Sequence, residues 1–290
     1  NSYSNVSGIY FWIFKKVGAV MPKIESEKGL SWKRRTTKKQ LLIWLGWLIG
    51  VSIIVFAWQL ISEKTIWFFV QDAPRQAADI GVRMVPPKWS YMSKLIKPVW
   101  DTINIATIGT MIAIIIAVPV AFLAARNTTP HKIFRVAALF IIVSSRSVNS
   151  LIWALMLVFI LGPGIVAGTI AIGLRSIGFC AKLLYEAIEE IDHSQVEAVE
   201  ATGAKSSQKI LYGIIPQVLP TIAGVAVYRW DINIRESTIL GLVGAGGIGL
   251  QLNGSINTLA WTQVSMILIV IFITVLISEW VSAKIRYAII

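Results

Sequence analysis

The sequence predicts an all-α polytopic membrane protein with about six transmembrane helices, and three observations carry that prediction. Of its 290 residues 56% are hydrophobic and only 14% charged, where a soluble domain carries about a quarter charged residues. Several charge-free apolar runs are long enough to cross about 30 Å of hydrocarbon at 1.5 Å per residue. The surplus of cations, 27 Lys and Arg against 15 Asp and Glu, sits largely at the flanks of those runs, where it orients a chain on a membrane. That placement argues against nucleic acid as the partner of a chain with net charge +12.

Residues 1–40 are mixed and basic and read as a cytoplasmic or interfacial N-terminal segment, without the pattern of a cleavable signal peptide. Tyr10, Phe11, Trp12, Ile13 and Phe14 beside Lys15 and Lys16 suit an amphipathic helix lying on the membrane, and a disordered tail is the alternative. Leu41 to Ile61 is the first span. The following connection, to residue 98, is polar and rich in Trp, Pro and Met, and suggests a small folded or interfacial cap. Thr102 to Ala125 is the second span, with Pro119 tolerated as a kink among neighbouring helices.

Ile133 to Leu161 is too long for one straight crossing and carries a polar middle from Ser144 to Ser150, so it reads as one long or broken helix. The fourth span runs from about Ile165 to Tyr185 around Arg175, the fifth from Pro216 to about Ile234, and the sixth from Val264 to Val281. Cations before the first span (Lys33, Arg34, Arg35, Lys38, Lys39), between the second and third (Arg126, Lys132, Arg135) and after the last (Lys284, Arg286) predict cytoplasmic N- and C-termini. The basic connection 62–98 runs against this orientation, which holds if the first span dominates. With six spans, the loop 186–216 is cytoplasmic too.

That loop is a polar, small-residue island between apolar spans. Asp192 and Ser194 supply helix N-cap chemistry, and Ser194-x-x-Glu197 reads as a capping box. Ala198, Ala201, Gly203 and Ala204 present a nearly side-chain-free face over which a partner groove can close. Gly203 permits a turn between two short helices, and Pro216 suits the first turn of the next span. Glu197-Ala198 followed at the proper spacing by Gly203 and Pro216 resembles the EAA loop of ABC-importer permeases; Val199 and Gly213 depart from the usual Ala and Ile. The resemblance implies a cytoplasmic coupling helix that fits a groove on a separate ATPase subunit, with Glu197, Ala198, Ala201, Gly203, Ala204 and Pro216 as the coupling residues. It also implies a permease in the bacterial plasma (inner) membrane that pairs with a second copy of itself, two ATP-binding subunits, an external solute-binding protein and membrane lipid. No cofactor is expected in this chain, since no Gly-Lys phosphate loop occurs; ATP and Mg belong to the ATPase partners. No metal site is expected from two histidines and one cysteine, and Cys180 reads as a buried small hydrophobe.

Gly244-Ala245-Gly246-Gly247-Ile248-Gly249 matches a dinucleotide fingerprint literally, but lacks the strand and βαβ unit that fingerprint needs. Six glycines between Gly241 and Gly254 break any helix, and broken backbone at membrane depth survives only where protein buries it or water lines it. Tyr228-Arg229, Asn233-x-Arg235 and Ser237-Thr238 ahead of this run look like the permease of phosphonate-type importers, a group that includes phosphite carriers. The likeness covers roughly 95–290 and implies a type I fold like that of the methionine permeases, which are a neighbouring possibility for cargo. Arg146, Asn149, Arg235, Ser237, Thr238, Gly244, Gly246 and Gly247 are candidate path residues, because arginine forks suit tetrahedral oxyanions. Arg235 has a structural alternative in Asp231, one helical turn earlier, and Glu236 joins that network. Arg175 has alternatives in snorkelling and lipid binding. A gradient-driven transporter or channel is the competing class and would need acidic or His relays inside spans. A membrane enzyme would need a nucleophile–base or paired-carboxylate constellation that the sequence does not display.

Overall fold

The computed structural model describes residues 23–26, 29–32 and 37–289; the segment Tyr10–Lys16 lies outside them. By packing the chain divides into two compact units, Asn1–Gln76 and Ala77–Ile290. In the first, Lys23–Ser26 (β1) pairs antiparallel with Gly29–Trp32 (β2), Lys23 opposite Trp32. Thr37–Lys64 (α1) is the first apolar helix. Its Leu41, Trp44, Leu48, Ile54 and Phe56 are exposed, as a lipid-facing surface requires. Trp67–Arg83 (α2) is amphipathic, with Trp67, Phe68, Phe69 and Val70 exposed at its start and an Asp79–Arg83 ion pair of 2.8 Å at its end. The connection 62–98 thus contains this helix, and the unit boundary falls within it.

The second unit holds the remaining helices: Met92–Ala124 (α3), Lys132–Ser147 (α4), Ser150–Leu161 (α5), Ile165–Glu189 (α6), His193–Ala201 (α7), Ile215–Leu240 (α8), Ile248–Asn257 (α9) and Trp261–Ile289 (α10). Five described helices are long and apolar enough to cross a membrane, and six spans result if α4 and α5 count as one bent crossing. The second span starts at Met92 rather than Thr102. A charge-free run marks the hydrocarbon-facing part of a helix, not its end, and Lys94, Lys97 and Asp101 lie in the added turns.

α6 is the central helix and packs against α3, α4, α5 and α8. Its contact with α3 is built from small residues, Ala106, Gly109, Ala113 and Ala117 on one side and Ala167, Ala171, Gly173 and Ala181 on the other, all buried. In lipid, helices associate through close van der Waals packing, which small residues allow. A Cβ at Gly109 would lie 2.9 Å from Cγ2 of Ile172, so that approach excludes even alanine. Cys180 is buried within this core.

Two interruptions shape the bundle. α4 and α5 meet at 87°. Asn149 is the N-cap of α5, its side chain accepting from the Leu151 N–H at 3.1 Å. Just before the bend the Ser145 hydroxyl bonds the Leu174 carbonyl and accepts from the Gly178 N–H at 2.9 Å, the same pair that closes a turn of α6. A side chain inserted into a helical ladder needs room, and a Cβ at Gly178 would lie 2.7 Å from the Ile142 carbonyl and from Ser145 Oγ.

After α8 a short 3₁₀ turn, Gly241–Val243, leads into glycines at φ +88° (Gly244), +83° (Gly246) and +73° (Gly247). Such angles favour glycine. At Gly246 space is limiting as well, since a Cβ would sit 3.1 Å from the Ile165 nitrogen. The Gly164 N–H donates to the Gly244 carbonyl at 3.0 Å. The Thr102 hydroxyl accepts from the Ile248 N–H and donates to the Pro98 carbonyl, both at 2.8 Å. α9, ten residues and about 15 Å long, is too short to cross; α10 is the last span.

Two substitutions test this architecture by thermal unfolding in detergent. Thr102→Val keeps the shape but leaves the buried Ile248 N–H without its acceptor, and is expected to lower stability by about 1–3 kcal/mol. Gly178→Ala forces α4 from α6 and is expected to cost about 1–3 kcal/mol. A wild-type midpoint in either variant refutes the corresponding contact.

Candidate functional site

The loop 186–216 is built on a firm start. Asp192 is the N-cap of α7, accepting from the Ser194 hydroxyl at 2.7 Å and the Ser194 N–H at 2.9 Å. These hydrogen bonds, the hydroxyl first, hold its carboxyl below the usual carboxylate range. The cap is thus fully present above the ordinary carboxylate pKa and is lost as pH falls through the depressed value. The expected Ser194–Glu197 capping box is not formed: the helix begins one residue before Ser194, which puts the serine in the first turn as a donor. Glu197 is exposed, with no capping duty.

α7 ends where Gly203, at φ +79°, donates its N–H to the Glu200 carbonyl at 2.9 Å. A second turn, Ser206–Gln208, is closed by the Gln208 side chain accepting from the Lys205 N–H at 2.8 Å, and Lys209 pairs with Glu200. A π-helical turn, Lys209–Ile214, then delivers Pro216 into the first turn of α8. Gly213, one of the two departures from the usual pattern, is buried, and a Cβ there would lie 3.3 Å from the Val196 Cα. The departure therefore lets α7 press onto the π turn. Gln217 ties both ends of the loop, accepting from the Asp192 N–H at 3.0 Å and donating to the Gly213 carbonyl at 2.6 Å. Between the two turns Ala198, Val199, Thr202, Gly203, Ala204 and Tyr212 line an open groove of about 620 Å³. Glu197 and Ala201 are exposed on the same short helix.

The intramembrane candidates separate into two groups. Arg146 is exposed in the last turn of α4 and has no acidic partner among the described residues; Asn149 caps α5 beyond the bend. A cation in a last turn complements that helix's own dipole. Arg235 is paired with Asp231, whose other oxygen accepts from the Ser278 hydroxyl of α10 at 2.9 Å. Ser237 is buried, its hydroxyl bonding the carbonyls of Ile234 (2.8 Å) and Thr102 (3.3 Å), and Thr238 turns back to the Arg235 carbonyl at 2.7 Å. Gly246 and Gly247 are buried and Gly244 half-buried. Ser237 and Gly247 thus both close on Thr102.

The most buried charge among the described residues is Arg229, which in the sequence is marked only as part of the Tyr228-Arg229 motif. Arg229 is 2% exposed, its Nε 2.9 Å from the Ser176 hydroxyl, its Nη2 3.3 Å from both Glu236 oxygens, and its guanidinium 5.0 Å above the Phe179 ring. Asn233, fully buried, donates to the Thr110 hydroxyl at 2.7 Å and the Ser176 hydroxyl at 3.1 Å. Arg175 also reaches Glu236, at 3.7 Å. The available signal was the spacing of Arg229 and Glu236, two turns apart on one face of α8.

A bundle of apolar helices with interrupted spans and one grooved polar loop defines a membrane-embedded transport subunit. Residues 117–286 match the family of binding-protein-dependent transport system inner membrane components, and the chain belongs to that family. It is 38% identical over 252 residues to the phosphite transport system permease protein PtxC of Stutzerimonas stutzeri, covering 83% of this chain and 90% of that one. It is 29% identical over 193 residues to the probable D-methionine transport system permease protein MetI of Haemophilus influenzae, covering 61% and 89%. Among solved structures, an inward-facing conformation of the MetNI methionine ABC transporter superposes with a TM-score of 0.60 at 22% identity, over 70% of this chain and 99% of that chain. The chain is the permease component of an ABC importer, and its fold is the one expected from the sequence.

Around Gly203 no atom lies within 4 Å of an added Cβ, so Gly203→Ala meets no clash and only the strain of its left-handed backbone, about 1 kcal/mol. Hydrogen exchange of the Thr202–Lys209 amides is expected to quicken about fivefold, with the spans unchanged; unaltered exchange would show that the turn does not depend on this φ.

Proposed function

We propose that this chain forms, with a second copy of itself, the translocation path of an importer for a small phosphorus oxyanion such as phosphite or a phosphonate. Two ATP-binding subunits, which hold the ATP and Mg, dock on the 197–216 loop, and an external solute-binding protein delivers the cargo. The observation that carries the docking reading is the groove between Ala198 and Tyr212, because α7, which lines it and follows α6 after three residues, is tied to the start of α8 by the Asp192–Gln217 hydrogen bond and the contact of Val196 with Gly213. A push on Glu197, Ala198, Ala201, Gly203 and Ala204 is thereby passed, with Pro216 leading, into two spans at once.

The phosphorus cargo is supported by the relatives of known naming and by the arginines inside the spans. Arg146 and Asn149, at the bend, face the passage; Gly244 lies at its edge; Arg235, Thr238, Ser237, Gly246 and Gly247 hold its wall. Methionine is the alternative cargo, supported by the Haemophilus influenzae relative. The protein sits in the bacterial inner membrane with both termini and residues 186–216 in the cytoplasm and residues 1–40 on the cytoplasmic face.

Vesicles carrying the complete importer test this reading through ATP-dependent uptake of labelled phosphite, methylphosphonate and methionine. Phosphorus oxyanions are expected to be taken up, and Gly203→Trp or Glu197→Ala to lower cargo-stimulated ATP hydrolysis at least tenfold in well-folded protein. Uptake of methionine alone would reassign the cargo, and full stimulation in Gly203→Trp would refute the docking site. In a Cys180→Ala background, Ser206→Cys is expected to resist an impermeant thiol reagent from outside; labelling there would invert the orientation.

A further inference from the structure

Two arginines share one carboxylate inside the bundle, and they are held very differently. Arg229 is locked on every side by Ser176, Glu236 and the Phe179 ring. Among the described residues Arg175 is held by Glu236 alone, at 3.7 Å, and its side chain is 32% exposed against 2% for Arg229. Glu236 lies between them, 18% exposed. The other acid of α8, Asp231, is taken up by Arg235 and Ser278. The cluster therefore carries two positive charges against one negative, and its bare cation is the more exposed one.

Arg175 lies near the middle of α6, so this surplus sits at membrane depth. A charge there is costly against lipid and marks a partner, a cavity or a pathway. The neighbouring bend adds a second cation: Ser145, the residue before Arg146, hydrogen-bonds the carbonyls of Leu174 and Arg175. Interruption of the third span thus brings the end of α4 to the backbone of Arg175.

We propose that Arg175 is a binding station for a small tetrahedral oxyanion, with Glu236 as its resident counter-ion. An arriving anion takes the Arg175 guanidinium from Glu236 through paired N–H donors, and Glu236 stays neutralised by Arg229. When the anion leaves, the carboxylate takes Arg175 back. Competition from Glu236 keeps the station weak, as passage requires. This rests on the oxyanion cargo proposed above.

The test is equilibrium binding of labelled phosphite to the intact importer in lipid nanodiscs, paired with uptake and a thermal midpoint for each variant. Glu236→Gln removes the competing charge while keeping a carbonyl oxygen toward Arg229; it is expected to bind phosphite at least tenfold more tightly and to transport it more slowly. Arg175→Gln is expected to lose at least tenfold in affinity and to raise the KM of uptake, with partial recovery in Arg175→Lys. Unchanged or weaker binding in folded Glu236→Gln overturns the counter-ion role. Should that variant not fold, Arg175→Gln decides alone, and wild-type binding and KM there overturn the station. If the wild type moves methionine but neither binds nor moves phosphite, phosphate or phosphonate, the cargo reading itself falls. Wild-type phosphite uptake that persists unaltered in Arg175→Gln removes only the station.

Discussion

The structure depends on satisfying helix ends that lie inside a membrane. Two helical tracts are interrupted at the level of the spans, the first between α4 and α5 and the second between α8 and α9, and each interruption frees backbone groups that hydrocarbon does not pair. Protein meets every one of the contacts described. Asn149 caps α5, Ser145 reaches into the ladder of α6, Gly164 bonds the glycine run, and Thr102 accepts the first N–H of α9. At the second interruption the supporting groups are Thr102 of α3 and Gly164, the N-cap of α6, and at the first Ser145 docks the end of α4 on the α6 backbone. That explains why α3 and α6 are packed through alanines and glycines: a close, unbroken pair is the frame on which the broken ones hang.

The same frame braces the loop. α6 enters the loop and α8 leaves it, and within the membrane they are joined by Ser176, Arg229 and Asn233 in a fully paired polar cluster. Such a network rigidifies when each member is satisfied. Val196 and Ile210 of the loop pack on the core that contains Ile188, Ile214 and Val218. Force applied to α7 therefore meets a stiff connection to both spans.

Much of this was legible in the sequence because its causes are local. Charge-free length marked the spans, the small residues with Gly203 and Pro216 marked the loop, and clustered glycines marked the second interruption. What stayed hidden depends on tertiary choice. Ser144 to Ser150 announced a weak point in the third span but not an 87° bend, which is decided by Ser145 docking on α6. Asp192 and Ser194 are both good caps, and only the chain path, fixed by Gln217, selects Asp192. On α8, Asp231–Arg235 and Arg229–Glu236 are both compatible with helical spacing; the first was visible as a one-turn pair, while the second needs Ser176 and Phe179 from another helix. The burial of Ser237 against the Thr102 carbonyl has no signature in a polar motif.

Charge balance finally separates the transport classes that composition alone left open. A gradient-driven carrier relays protons or cations through acids or histidines in its spans. Both acids of α8 are committed to arginines, and Glu279 is exposed toward the end of α10. The cations outnumber them: with Arg229 and Arg235 each facing a carboxylate, Arg175 is left to share one and Arg146 has none among the described residues. An excess of cations over acids at membrane depth suits the anionic cargo proposed above. The grooved loop lies between α6 and α8, the two helices that carry Arg175, Arg229 and Arg235.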